Sequence, residues 1–179
     1  MKKIGFLVTC SLFVAAAFCQ QTLVSKSLFD GKVEILVPKG FKNDVDSNLI
    51  FTYPLIASIA SYHFSSDNKM VNLACVWTER AMDDNGIPGF TDELLTSLNK
   101  LKKRIKLRIL EDGILLQDGK NIGFVKHTTS KGKWGFHYIF YTSFKDRLLI
   151  FEFNCPKQSR PAWEQTIEQI ANSLRVKQS

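Results

Sequence analysis

Two segments of this chain repeat the same apolar spacing, and this spacing limits the folds that the chain can adopt. In each segment, large apolar residues recur at positions i, i+4, i+7 and i+11: Leu94, Leu98, Leu101 and Ile105 in the first, and Trp163, Ile167, Ile170 and Leu174 in the second. Side chains at these intervals form one stripe along an α-helix. The sequence therefore predicts two one-sided helices, and each of them needs an apolar surface to cover.

Short apolar segments with turn residues between them supply that surface. Before the first helix, an Asp30–Gly31 turn precedes a strand that ends at Pro38, and residues 65–68 separate two further strands. Between the helices lie the runs IKLRIL, GILLQ, IGFVKHTT, GFHYIFYT and RLLIFEF, with turns expected at Asp112–Gly113, Asp118–Gly119 and Lys131–Gly132. This order predicts an α+β fold with a mostly antiparallel β-sheet, flanked by helices on both faces.

Capping residues predict where both helices begin. Thr91 is a suitable N-cap for the first helix, and two acidic residues follow it where the helix dipole favours negative charge. Residues 79–90 would then be a long loop, and loops on a rigid scaffold commonly carry binding function. The second helix is expected to begin at Ser159 or Arg160, since Pro161 is tolerated in a first turn.

The N-terminal residues have the pattern of a secretory signal peptide. Two lysines precede an uncharged apolar run, residues 4–18, which is shorter than the about 20 residues that a membrane span needs. We expect residues 1–19 to be removed and residues 20–179 to form a single periplasmic or secreted domain. Lipid attachment at Cys19 is the alternative, although Phe18 is larger than the small residue expected before a lipidated cysteine. No later apolar run reaches membrane length, which predicts that the protein is not an integral membrane protein.

Basic residues give the chain a formal charge of +7 at pH 7, and many of them are close together: Lys100, Lys102, Lys103, Arg104, Lys106 and Arg108. Such a cluster can bind nucleic acid, but export argues against a nucleic-acid partner. We therefore expect an acidic protein or another anionic partner in the envelope. The candidate binding patch combines the loop with the cluster: Asp83, Asp84, Lys100, Lys103 and Arg104. A solvated helix face is the alternative interpretation.

Two cysteines, Cys75 and Cys155, remain once the predicted signal peptide is removed. An oxidising envelope compartment would allow them to form a disulfide. Both lie in apolar strand-like runs, where small buried thiols are the alternative. The choice depends on whether the two strands are adjacent, which the sequence does not show.

The three histidines are the residues from which a catalytic site could be built. A two-residue loop at Lys131–Gly132 places His127 out of register with His137. A three-residue loop brings these two opposite each other, where they could share a metal with His63 or Glu152. The chain has no H-x-H spacing, no Gly-rich phosphate loop and no serine elbow. We therefore predict no metal site, no cofactor and no catalytic residue.

Several segments together resemble the PsbP/DcrB-like superfamily. They are FDGKVEILVPKGF, the meander from DGKNIGFVKHTT to FHYIFYTSFKDRLLIFEFNC, and the closing WEQTIEQIANSLRV, within roughly residues 25–176. The resemblance implies an α/β/α sandwich and a role as an accessory or binding protein. Members of the superfamily include photosystem subunits, envelope lipoproteins and a Ran-binding nuclear protein. The resemblance implies no catalytic residues, because the superfamily shares none.

These observations predict an exported, non-catalytic accessory or binding protein of the bacterial cell envelope. The alternative is a small metal- or thiol-dependent hydrolase that uses His63, His127 and His137, or Cys155. An enzyme needs two histidines, or a histidine and a cysteine, to converge in one pocket. A binding protein needs only an accessible surface patch.

Overall fold

The computed structural model describes residues 21–43, 50–53, 56–130 and 135–177, so the predicted signal peptide lies outside the described residues. The described strands are β1 Leu23–Leu28, β2 Val33–Pro38, β3 Lys42–Asn43, β4 Ile50–Tyr53, β5 Ile56–Ile59, β6 Tyr62–Ser65, β7 Asn72–Ala81, β8 Arg108–Gln117, β9 Lys120–Thr128, β10 Phe136–Phe144, β11 Arg147–Cys155 and β12 Arg175–Val176. The helices are α1, Ile87–Ile105, and α2, Arg160–Asn172. No helix within these ranges is long and apolar enough to cross a membrane.

Seven of the strands form one antiparallel sheet in the order β3-β6-β7-β11-β10-β9-β8. A smaller antiparallel sheet, β1-β2-β12, joins the first hairpin to the end of the chain, and β4 pairs with β5. The prediction of an α+β fold with mostly antiparallel strands is therefore confirmed. The long strand β8 lies at one edge of the large sheet, and the two-residue strand β3 lies at the other.

The predicted hairpin turn at Asp118–Gly119 is confirmed, and the one at Asp112–Gly113 is wrong. Asp118–Gly119 joins β8 to β9, and both of its residues adopt positive φ. Asp112 and Gly113 instead lie inside β8, because β9 offers an uninterrupted strand for both to pair with. Gly113 leaves room for a neighbouring ring, since a Cβ atom at this position would meet the Phe124 ring at 3.1 Å.

Helix α1 begins one turn earlier than the predicted start at Thr91. Pro88 occupies the first turn, where an amide hydrogen would have no partner in the helix. The Thr91 hydroxyl donates to the Ile87 carbonyl at 3.0 Å, within the helix rather than at its cap. Since β7 also extends further than expected, the connection to α1 is residues 82–86 and not the predicted residues 79–90.

The apolar stripes of the two helices pack into two separate clusters of the core. Leu94 and Leu98 of α1 are buried in one cluster, and Ile167 and Ile170 of α2 are buried in the other, together with β1 and β2. The sheet contributes alternate residues to the two clusters: Val76, Ile139 and Ile150 accompany α1, whereas Cys75, Phe140 and Phe151 accompany α2. Helix α2 begins at Arg160, with Pro161 in its first turn, so both the start and the stripe of this helix agree with the prediction.

Candidate functional site

The basic residues predicted from the sequence lie at the C-terminal end of α1 and just beyond it. All six side chains are exposed: Lys100, Lys102, Lys103, Arg104, Lys106 and Arg108. Leu107 lies among them but is buried, which anchors this segment to the core. Its amide donates to the Lys102 carbonyl at 3.1 Å, and the Ser130 amide donates to the Ile105 carbonyl at 3.3 Å. These six basic residues are the cationic end of α1, carried by an anchored backbone.

Among the described residues, no acidic side chain forms an ion pair with the cationic end of α1. Several basic side chains elsewhere do have acidic partners: Arg80 with Glu93, Lys126 with Glu111 and Glu168, Arg147 with Glu79, Arg160 with Glu164, Arg175 with Asp118 and Lys177 with Glu34. The carbonyl groups at a helix C-terminus carry a partial negative charge of only about one half, so they offset a small part of the six positive charges. The remaining charge faces solvent and is available to an anionic partner.

The two acidic residues of the predicted patch lie at the opposite end of α1. Helix geometry, with a rise of about 1.5 Å per residue, separates Asp84 from Lys100 by roughly 20 Å. Both carboxylates also support the local backbone. Asp83 accepts a hydrogen bond from the Gly86 amide at 2.7 Å, and Asp84 accepts one from the Asn121 amide at 2.8 Å. The structure therefore brings Lys100, Lys103 and Arg104 together but does not place Asp83 and Asp84 beside them.

Two clefts open beside these carboxylates. One, of about 300 Å³, is lined by side chains of both charges: Asp83, Asp84, Lys120, Lys145, Asp146 and Lys177. The other, of about 620 Å³, has Arg80, Met82 and Phe90 in its wall. Neither cleft is lined by a described histidine or cysteine, so neither contains the nucleophile and base that the hydrolase alternative requires.

His127 and His137 lie on the neighbouring strands β9 and β10, whereas His63 lies on β6, which β7 and β11 separate from β10. His127 is directly opposite His137, and their rings stack with centroids 4.7 Å apart. This is the pairing expected from a three-residue loop, although Lys131–Gly132 itself lies outside the described residues. His137 Nδ1 is 2.8 Å from a Glu152 carboxylate oxygen. On β6, His63 Nε2 is 3.0 Å from the side-chain oxygen of Asn72 on β7.

The three histidines make polar or ring contacts within the sheet. Burial, and secondarily the neighbouring His137 ring, lowers the pKa of His127 to about 3, so His127 is neutral at pH 7. The Asn72 amide nitrogen is also 3.2 Å from the Asn154 side-chain oxygen, which extends the His63–Asn72 contact to β11. No group of three His, Cys, Asp or Glu side chains within residues 21–43, 56–130 and 135–177 has the arrangement of a metal site.

Cys155 lies apart from the three histidines. It is opposite Phe136, the neighbour of His137 in β10, and adjacent residues of a strand point to opposite faces of the sheet. Cys155 accordingly belongs to the cluster that contains α2, and burial raises the pKa of its thiol to about 12. A thiolate nucleophile needs the opposite shift, usually from an adjacent histidine or a helix N-terminus. The described residues thus give Cys155 no activating histidine.

Cys75 and Cys155 are both buried free thiols, so of the two alternatives left open by the sequence, the structure has the buried thiols and not the disulfide. Cys75 is opposite Phe151, and Cys155 lies four residues further along β11. At about 3.3 Å per residue, this separates the two cysteines by roughly 13 Å, whereas a disulfide requires Cα atoms less than about 7 Å apart. Burial also raises the pKa of the Cys75 thiol well above its usual value.

One charged cluster was not predicted from the sequence. Lys126 is almost fully buried on β9, and its ammonium group lies 2.6 Å from Glu111 and 2.8 Å from Glu168 of α2. Burial disfavours the charged form, but hydrogen bonds to the two carboxylates outweigh it and raise the pKa of Lys126. The ammonium group also lies 5.1 Å from the centre of the Tyr138 ring. The only sequence signal is a lysine within the apolar run IGFVKHTT, which does not identify its partners.

Comparison with known proteins identifies the fold. No protein-family model and no curated protein matches this chain. Among solved structures, the chain is similar to cyanobacterial PsbP (CyanoP) from Synechocystis sp. PCC 6803, with a TM-score of 0.61 and 12% identity over 88% of this chain and 93% of that one. It is also similar to the Ran-binding protein Mog1p of Saccharomyces cerevisiae, with a TM-score of 0.57 and 13% identity over 87% of this chain and 96% of that one.

These similarities show that the chain has the PsbP/Mog1-like fold. The resemblance to the PsbP/DcrB-like superfamily is therefore confirmed at the level of the fold. At 12% and 13% identity, the similarities do not transfer any binding or catalytic residue to this chain.

Proposed function

We propose that this chain is a non-catalytic accessory or binding protein of the bacterial cell envelope and that the cationic end of α1 binds an acidic partner protein. The observation that carries the proposal is the concentration of exposed basic residues without acidic partners at one end of α1. Six exposed basic residues have no acidic partner among the described residues, while many other cations of the domain are paired. An uncompensated cluster of one sign attracts an oppositely charged partner and speeds its association.

The fold supports protein binding rather than catalysis. Mog1p, which has the same fold, is a Ran-binding protein, so the fold can carry a protein-binding surface. In this chain, His127 stacks on His137, His63 contacts Asn72 elsewhere in the sheet, and Cys155 lies on the other side of the sheet from His137. We also infer that α1 and α2 cover opposite faces of the large sheet. This inference is supported by the alternate strand residues that pack with each helix.

Charge reversal tests the binding surface. The variant Lys100→Glu, Lys103→Glu, Arg104→Glu should lose binding to acidic proteins in envelope extracts, and its far-ultraviolet circular dichroism should remain that of the parent. A matched control reverses three exposed lysines far from α1 in sequence: Lys26→Glu, Lys39→Glu and Lys157→Glu. Both variants change the net charge equally, so a difference in binding between them must come from the position of the reversed charges. Equal loss in both, or no loss in either, would contradict the proposed surface.

Two further measurements test the chemistry of the partner. Binding through exposed charges weakens as salt rises, because the Debye length shortens from about 10 Å at 0.1 M salt to about 3 Å at 1 M. Salt-insensitive capture would therefore contradict an electrostatic surface. Vesicles containing anionic lipid provide the second measurement. Retention on vesicles, without capture of an acidic protein, would replace the proposed protein partner with a membrane surface.

Export is a separate part of this proposal and needs its own test. We propose that residues 1–19 are a signal peptide that is removed on export. The intact mass of the protein purified from the envelope of a bacterial host should match a chain that begins near Gln20. A mass that retains Cys19 and includes acyl chains would contradict this prediction and would show a membrane-anchored lipoprotein.

A further inference from the structure

The exposed apolar surface of the described chain is concentrated on one edge strand. Within residues 21–43, 60–130 and 135–177, three large hydrophobic residues are exposed, and they are consecutive in β8: Ile114 at 40%, Leu115 at 36% and Leu116 at 76%. Isolated exposed apolar residues are common on protein surfaces, but a contiguous group more often marks an interaction site. Because these residues occupy adjacent positions of a strand, both faces of the strand are apolar along this edge.

The position of β8 determines what can bind there. In the described part of the chain, β8 pairs only with β9, so its other side lies at the edge of the large sheet. An unpaired edge offers a row of backbone donors and acceptors that another strand can use. Natural edge strands are commonly protected by lysine or proline, and residues 109–117 contain neither. The register shift between Ile109 and Glu111 disturbs pairing at the start of the strand but leaves residues 113–117 regular.

We propose that β8 pairs with β8 of a second copy of this chain, antiparallel about a two-fold axis at Leu115. In this register Leu115 faces its own copy, and each Ile114 faces a Leu116, so all three exposed hydrophobic residues gain apolar partners. Gly113 faces Gln117 at each end of the paired segment. If the register were shifted by one residue, side chains from opposite faces of the two β8 strands would lie against each other.

The charges flanking the segment are compatible with this pairing. Asp112 would face Asp118 of the second copy, but Asp118 is already bound to Arg175, whose guanidinium nitrogen is 2.7 Å from the carboxylate. The segment contains no other charged residue between Gly113 and Gln117. Five paired residues form a small interface, below the roughly 1,200 Å² of a standard one, so the dimer should dissociate on dilution.

Sedimentation of the protein purified from the envelope of a bacterial host, over a wide concentration range, tests the dimer. We expect a reversible monomer–dimer equilibrium, and Leu116→Lys should weaken the dimer by at least about tenfold, because it replaces two apolar cross-strand contacts. The control variant Gln158→Lys adds the same charge at an exposed position outside β8 and should leave the equilibrium unchanged. A monomer at every concentration, or an equal effect of both variants, would overturn the proposal.

Disulfide trapping tests the register. Under oxidation, Leu115→Cys should give a dimer whose linked peptides contain residue 115 of both copies, identified by mass spectrometry. Asp112→Cys is the control, because the proposed register separates its two copies by six residues, or roughly 20 Å. Efficient trapping of Asp112→Cys, or none of Leu115→Cys, would overturn the register. A structure in which β8 pairs with a strand of a different protein would contradict the proposal that β8 pairs with a second copy of this chain.

Discussion

The neutral, buried His127 should make the stability of this protein depend on pH in a way that one substitution removes. Its pKa is about 3 in the folded protein, whereas an unfolded histidine has a pKa of about 6.5. Below pH 6.5 the unfolded chain therefore binds a proton that the folded protein does not. Stability from this residue is fully present above about pH 6.5 and is lost progressively as the pH falls toward 3.

The size of the effect follows from these two values. Each pH unit between them costs about 1.4 kcal/mol, so a drop from near pH 7.5 to near pH 5 should remove about 2 kcal/mol of the free energy of unfolding. Even a folded-state pKa one unit higher would barely change this figure, because pH 5 would still lie above the folded value and well below the unfolded one. Unfolding measurements near pH 5 are therefore the most informative test of the His127 pKa shift.

The substitution His127→Phe keeps a ring that can stack on His137 and removes the titrating group. Urea unfolding of the parent protein and of the His127→Phe variant at the two pH values gives four free energies of unfolding. The loss between the pH values should be about 2 kcal/mol larger in the parent than in the variant, whatever the variant costs at pH 7.5. Val125→Ala is the control, because Val125 is buried on the same strand and the same face as His127. This substitution should lower the free energy of unfolding by the same amount at both pH values. A parent and a His127→Phe variant with equal pH dependence would refute the reasoning.

Two other predictions test the packing of the core and the state of the cysteines. Gly123→Ala should lower the free energy of unfolding in urea by about 1–3 kcal/mol. The added Cβ would lie 2.7 Å from Tyr141 Cζ and would displace the Tyr141 ring, whose hydroxyl donates a 2.7 Å hydrogen bond to Thr91. An unchanged free energy of unfolding would contradict this close contact. Cys75 and Cys155 should resist a thiol reagent in the folded protein and react in denaturant without prior reduction, as followed by peptide mass spectrometry. A disulfide-linked peptide that joins them would contradict the strand register.

The sequence by itself determined the elements whose signals are local. The stripe from Trp163 to Leu174 and the proline at position 161 predicted α2, because the i, i+4 spacing and the capping rules act within a few residues. The Asp118–Gly119 turn was equally local, since both residues adopt the positive φ that such a hairpin requires. The alternation of apolar residues predicted the antiparallel sheet. Together these signals were sufficient to predict an α+β fold with mostly antiparallel strands.

Local signals failed where a distant partner outweighed them. Asp112–Gly113 has the composition of a turn, yet it remains in β8 because β9 supplies a continuous set of backbone partners. Thr91 has the character of a cap, yet it lies inside α1, where Tyr141 donates to its hydroxyl. In both cases the residue has two acceptable local conformations, and contacts made elsewhere in the chain select one of them.

Only the tertiary structure decided which residues of the candidate sites meet. It separated Asp83 and Asp84 from the cationic end of α1, stacked His127 on His137, and placed Cys75 and Cys155 on different levels of the sheet. Strand order and register determine these distances. Backbone hydrogen bonds form between any two residues with little regard to their side chains, so the pairing is selected by the summed packing of the whole core. The periodicity of one segment records which of its sides is apolar, but not which distant segment will cover it.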